Sequence, residues 1–252
     1  DDSEGSSLSS DKLDIGIGRF PVRTVAEAAT AVNKSISYME NKTAGAWKNN
    51  ITFVADDGDT NLHMNQANQL AESIETNHPE FLVNKIYFDA YKKDYSGGKV
   101  GYPDVTTKIQ KELKNGQMVI NYTGHGSTSY WGGEGVLSQN EIKQFTYPYL
   151  PLWITATCDF ARFDAVNTSA GEDVFLNTTS GGIALFTTTR VVDANPNFKI
   201  NKELINNLFV KKNGKRLTLG DILRETKVSM GTDLNKLNFT LIGDPALTLS
   251  YP

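Results

Sequence analysis

At 252 residues the chain is long enough for one large α/β domain or two small ones, and 39% apolar residues can fill a core without disulfide staples. Its 25 basic and 29 acidic residues leave a formal charge of −4, with no basic cluster of the kind that neutralises a phosphate backbone, which argues against a nucleic-acid partner. The single cysteine excludes an internal disulfide and a thiolate zinc cluster, yet suits a catalytic thiol in either redox compartment.

The amino end, DDSEGSSLSS, is too polar to bury surface or to act as a signal peptide, so residues 1–10 are expected to be a disordered lead, followed by one domain over 11–252. DIGIGRF (Asp14 to Phe20) reads as a short strand that Pro21 ends. Thr24 with Glu27 forms a capping box, opening a helix whose apolar stripe of Val25, Ala28, Ala29, Val32, Ile36 and Met39 is expected to pack on the sheet. ITFVA (Ile51 to Ala55) is a buried strand that runs into the acidic turn DDGD and then a helix over Leu62 to Glu75. KIYFDA (Lys85 to Ala90) is a third strand, and a helix from about Asp104 to Lys114 leads into a fourth, QMVINY (Gln117 to Tyr122). A second capping box, Ser138 with Glu141, precedes the strand LWITAT (Leu152 to Thr157). The remainder reads as a helix near Ser169 to Leu176, a strand GIALFTT (Gly182 to Thr188), helices near Phe198 to Val210 and Leu217 to Ser229, and closing strands FTLIG (Phe239 to Gly243) and ALTLS (Ala246 to Ser250). Strands alternating with helices predict a largely parallel, three-layer α/β sheet.

Two of these strands end in loops with reactive side chains: QMVINY runs into TGHGS with His125, and LWITAT into CDFARFD with Cys158. A parallel sheet brings such loops together beyond its carboxyl edge. Taken alone, Cys158 could be a small buried hydrophobe and His125 a histidine of a surface glycine turn. Together, 33 residues apart, they suggest a nucleophile and its acid–base partner, with the N–H groups of Cys158 and Gly126 as candidate oxyanion donors. The DDGD run is open to two readings, a solvated turn or a calcium loop built on Asp56, Asp57 and Asp59. Neither His63 nor His78 shows a metal-ligand partner at helical spacing. Asp193 reads either as a turn residue before Asn195 and Pro196 or as a substrate contact.

In the same order, IGRFPV, FVADDGD, HMNQA, VNKIYFDAY, NYTGHGS, TATCDFARFD, GGIALFTTTR and FTLIGDPAL resemble the gingipain family of cysteine peptidases, and within it the sortase branch that serves type IX secretion. The resemblance implies a caspase-like fold with a dyad of Cys158 and His125, an acid at Asp57 or at its neighbour Asp56 to orient the histidine, and Trp131 and Asp193 around the substrate, while His63, near a helix start, reads as exposed or as part of the pocket rim. It requires no cofactor and allows structural calcium. It further implies cleavage of carboxy-terminal sorting signals and acyl transfer to a lipopolysaccharide-type acceptor. That work would be done at the bacterial cell surface, associated with the outer membrane as part of a longer chain and alongside other secretion-system components. A hydrolytic gingipain-like protease is the alternative, and a non-catalytic surface binding module is a third reading. Arginine-cleaving members carry an acid in the loop after DDGD, where this chain has Asn61 and His63, which argues against arginine specificity.

Overall fold

A computed structural model describes residues 10–40, 45–96 and 100–252; most of the expected amino-terminal lead lies outside them. In chain order the elements are α1 (Val25–Met39), β1 (Asn50–Ala55), α2 (Leu62–Asn77), β2 (Leu82–Tyr87), α3 (Pro103–Asn115), β3 (Val119–Thr123), a small hairpin of β4 (Tyr130–Trp131) and β5 (Leu137–Ser138), and α4 (Gln139–Lys143). There follow β6 (Leu152–Ala156), α5 (Ala170–Leu176), β7 (Ala184–Thr188), α6 (Ala194–Leu208), a second hairpin of β8 (Lys211–Lys212) and β9 (Lys215–Arg216), α7 (Leu219–Ser229), α8 (Asn235–Asn238) and β10 (Phe239–Ile242).

Six strands form one sheet in the order β10-β7-β6-β3-β1-β2, all parallel except β10, which pairs antiparallel with β7 at the edge. Both faces are covered, which is why the central strands are continuous apolar runs rather than alternating ones. Ile51, Phe53, Val119, Ile154 and Phe186 meet α2, α6 and α7 on one face, through Leu70, Ile74, Leu204, Leu208 and Leu223. Val54, Ile120, Tyr122, Trp153 and Leu185 meet α3, α4 and α5 on the other, through Ile109, Leu113, Ile142 and Phe175. From β1 the chain crosses by α2 to β2 on one side, whereas β3 lies on the other side of β1 and continues outward to β6. The order therefore reverses between β1 and β3, and a crevice opens over their carboxyl ends.

Three expectations fail here. The apolar stripe of α1 faces solvent: Val25, Val32, Ile36 and Met39 are exposed, while Ala31, Lys34, Ser35 and Tyr38 are buried. The opposite face of the helix meets α5, and Lys34 reaches inward to donate to the carbonyl of Phe175 in the last turn of α5 and to those of Asn177 and Ser180 beyond it. Those carbonyls lack helical partners, so three polar acceptors select the lysine over the aliphatic face. ALTLS is also not a strand. Leu247 and Leu249 are buried against the core, but the Leu247 carbonyl accepts from Leu219 N at the start of α7, outside any ladder. At the front, DIGIGRF contributes only a single bridge, Arg19 to Ile242.

A buried amide pair ties α6 to the strand beneath the crevice. Asn121 Nδ2 donates to Asn201 Oδ1 at 2.6 Å, and Asn201 Nδ2 donates back to Asn121 Oδ1 at 3.0 Å and to Thr123 Oγ1 at 3.2 Å. Both residues are fully buried, so removing one leaves the other unsatisfied. Asn201→Ala is expected to cost about 3 kcal/mol of unfolding free energy, read from the denaturant midpoint at unchanged slope.

Candidate active site

Pairing of β3 with β6 aligns Thr123 with Ala156, so the loops that carry His125 and Cys158, each two residues further on, leave neighbouring strand ends. The ladder still holds at the first step, where Gly124 N donates to Ala156 O at 3.3 Å. At the next, Gly126 lies so close to Thr157 that a methyl on it would come within 2.5 Å of Thr157 Oγ1. Gly124 is equally confined, with Asp56 Cβ 2.3 Å from where its own Cβ would be. The glycines around His125 are thus required by contact with the neighbouring strand ends.

Beyond Cys158 the chain turns sharply through Asp159, whose φ is 55°, and the turn is pinned to the loop after β7. Asp159 N donates to Arg190 O at 3.2 Å and Ala161 N to Thr188 O at 3.0 Å, while the Cys158 thiol points at Val192 O, 3.7 Å away. The thiol is free and half-buried. Among the described residues the N–H groups of Cys158 and Gly126 have no intramolecular acceptor, which leaves both oxyanion candidates available.

His125 is gripped by its backbone and exposed at its ring. Its N–H donates to Asp56 Oδ2 at 2.9 Å, and its carbonyl accepts from Tyr122 Oη at 2.6 Å and Gly132 N at 2.9 Å. The side chain is 59% exposed, and Nε2 lies 2.8 Å from Asp59 Oδ2. That carboxylate is presented by three consecutive residues of positive φ, Asp59 (43°), Thr60 (56°) and Asn61 (62°), after Gly58 at 82°. Its hydrogen bond with His125 holds the Asp59 carboxyl below the usual range.

Asp57, expected to orient His125, does not reach it. Its Oδ2 accepts from Lys93 Nζ at 2.8 Å and Tyr102 Oη at 2.6 Å, and these outweigh its burial to hold the carboxyl below its ordinary value. The acid at the imidazole is Asp59, two residues later, because Gly58 and the left-handed run turn the chain back over the crevice. Asp56, Asp57 and Glu134 do come within 4.8 Å of one another. Lys93 Nζ already bridges two of these acids, at 2.8 Å to Asp57 and 3.0 Å to Glu134, so the cluster does not fit a calcium ion without displacing that amine.

Three substrate-site expectations also meet the structure. Trp131 is fully buried and stacks on Tyr122 with centroids 4.4 Å apart and planes 7° from parallel, so it supports the histidine loop from below. Asp193 is exposed at the start of α6, next to the Val192 carbonyl that faces the thiol; its carboxylate does not cap that helix. His63 is no rim residue: it is 5% exposed, its Nε2 is 3.1 Å from Asp59 Oδ2, and its ring stands edge-on to His125 at 5.1 Å. Burial, then the charge of His125, depress its pKa against the opposite pull of Asp59. The four-residue spacing from Asp59 to His63 was the available signal, and it lay across a loop–helix boundary rather than inside a helix.

An imidazole and a thiol over adjacent carboxyl ends of a mostly parallel, helix-flanked sheet define a caspase-like α/β domain. The model for peptidase family C25 matches residues 1–250, and the chain belongs to that family, the gingipain family of cysteine peptidases. The Arg-specific cysteine proteinase gingipain R (RGPB) superposes with a TM-score of 0.74 at 20% identity, over 93% of this chain and 55% of its own. A complex of Porphyromonas gingivalis RgpB pro- and mature domains gives 0.74 at 19% identity, over 97% and 58%. The Saccharomyces cerevisiae separase–securin complex gives 0.54 at 14%, over 85% and 13%. At such identities the likeness is one of fold, and the chain spans little more than half the length of the gingipain chains. No curated protein gives a significant sequence match.

Asp56 links this site to stability. Burial, reinforced by the charges of Glu134 and Asp57, raises its carboxyl from 3.8 to about 7 despite the stabilising N–H of His125. Across that window the folded chain keeps a proton that the unfolded chain has lost, so stability falls as pH rises from about 4 to about 7 and levels off above. Asp56→Asn, whose carbonyl can still accept the His125 N–H, is expected to remove this component of the slope when denaturant midpoints are measured across the window.

Proposed function

We propose that the domain is a cysteine peptidase of sortase type, with Cys158 as nucleophile, His125 as general base and acid, and Asp59 as the residue that orients the imidazole. The observation that carries this reading is the parallel register that sends His125 and Cys158 off neighbouring strands together, with a carboxylate 2.8 Å behind the imidazole. The Cys158 thiolate adds to a peptide carbonyl, whose oxygen takes up negative charge facing the free N–H groups of Gly126 and Cys158. His125 protonates the departing amine, and a thioester remains on Cys158. A second amine, deprotonated by His125, then attacks the thioester and releases the thiolate, so that one amide bond replaces another.

Transfer to an amine, rather than to water, is supported by the resemblance of FVADDGD, HMNQA and TATCDFARFD to the type IX secretion sortase PorU. On that reading the substrates are exported proteins with carboxy-terminal sorting signals, the acceptor is a lipopolysaccharide-type amine, and the place of work is the bacterial cell surface with other secretion-system components. Among the described residues no helix is long and apolar enough to cross a membrane. Gingipain R, a relative in fold, is described as an Arg-specific proteinase, which keeps hydrolysis as the second reading. Incubation with a sorting-signal peptide and an amine acceptor should give the amine conjugate by mass spectrometry. Free acid alone would favour the hydrolytic reading. A Cys158 that no thiol-directed acylating probe labels would favour a binding module.

Within this reading, Asp59→Asn should lower kcat/KM on the order of a hundredfold through loss of imidazole orientation. Asp57→Asn should leave it within about threefold of wild type, because Asp57 serves Lys93 and Tyr102 and the effect falls on stability. Steady-state kinetics of the two variants, side by side, checks the assignment.

A further inference from the structure

Asp59, His63 and His125 each offer a donor atom, and the three atoms all lie within 4.8 Å of one another. Both imidazole Nε2 atoms converge on a single oxygen, Asp59 Oδ2, at 3.1 Å from His63 and 2.8 Å from His125. Two imidazoles and a carboxylate, with a side open to solvent, form the three-ligand set that holds zinc while leaving a position for water. The two carboxylate–imidazole separations, 2.8 and 3.1 Å, are compatible with donors about 2 Å from one shared ion. Two of the three are held in advance, His63 by burial on α2 and Asp59 by the left-handed backbone run.

The interior behind the site also lacks something that an ion would supply. While His63 donates from Nε2 to Asp59, its Nδ1 is a bare acceptor, buried and without a partner. Gln66, three residues along α2 and 4% exposed, has an Oε1 that is likewise buried and unpartnered. Two acceptors without donors are costly in a dry interior. Metal at Nε2 moves the imidazole proton to Nδ1 and makes it a donor, and Gln66 Oε1 is the unsatisfied acceptor one helical turn away. Metal-bound histidines characteristically donate from their second nitrogen in this manner.

We propose that Asp59, His63 and His125 form a reversible site for a divalent transition metal of the zinc type, which silences the enzyme by withdrawing His125 from proton transfer. The silencing rests on the reading of His125 as acid and base; the binding does not. The site is separate from the acidic cluster of Asp56, Asp57 and Glu134, whose charge Lys93 compensates.

Cys158 is the natural competitor for such an ion, so binding is measured first in Cys158→Ala protein. Titration of zinc against a chromogenic chelator should show one ion per chain, and cobalt(II) should give the visible absorption of a tetrahedral nitrogen and oxygen site. His63→Ala, and His63→Gln as the milder change, should each weaken zinc binding at least about tenfold with an unchanged circular dichroism spectrum. In the wild type, zinc should stop turnover and a chelator restore it. The half-inhibiting concentration should rise about tenfold or more in His63→Gln, relative to that variant's own metal-free rate. Loss of binding in Cys158→Ala, or unchanged affinity in both folded His63 variants, would overturn the site. Zinc binding without turnover or thiol labelling would sink the peptidase reading alone, and turnover without zinc binding would sink this inference alone.

Discussion

The buried carboxyl group of Asp56 is the constraint on which the edge that carries the candidate site depends. It sits at the end of β1, where the strand order reverses, and accepts the backbone N–H of His125 from the end of β3 across the crevice. Its own N–H completes the ladder to Thr123 O. With Tyr122 and Gly132 holding the carbonyl on the other side, the histidine backbone is fixed from two directions and only the ring can move. Such a polar clamp in a dry setting gains from the low local dielectric as long as each partner is satisfied.

Around that clamp the molecule separates support from chemistry. Support comes from an aromatic stack: Tyr122 on Trp131, with Trp153 and Phe160 at 5.2 and 5.7 Å from Trp131. Beneath the opposite face, the amide pair of Asn121 and Asn201 locks α6 to β3, and the residues just before α6 supply the carbonyl that faces the thiol. The reactive side chains of the candidate site sit apart from this support, His125 and Asp59 exposed and the Cys158 sulfur half-buried. Reactive groups placed on loops by a rigid scaffold are the usual division of labour in α/β sheets.

Much of this was legible in the chain. The apolar runs from Ile51 to Ala55, Leu152 to Ala156 and Ala184 to Thr188 could be read as strands because a sheet covered on both faces needs continuous rather than alternating hydrophobicity. The two capping boxes at Thr24 and Ser138 gave helix starts that the structure keeps. His125 and Cys158 were visible because each follows a strand directly. The choice between Asp57 and Asp59 was not, since it depends on the φ angles of Thr60 and Asn61, which neither residue type announces. The face of α1 misled for a related reason. Hydrophobic period reports a stripe but not what lies opposite it, and three carbonyls at and beyond the end of α5 drew Lys34 inward. Trp131 was read from its loop, although its neighbours in space decided its part.

The left-handed run from Asp59 to Asn61 has a bearing on how the molecule ages under stress. Backbone in that region costs about 1 kcal/mol or more per residue for side chains other than glycine, and here it is carried by an exposed turn. On the reading of Asp59 as the guide of the imidazole, strain held at an exposed turn predicts that warming loosens this guide before it loosens the buried sheet. On that same reading, activity and architecture would part company at different temperatures, with a chain still native in fold after its imidazole has lost its orientation.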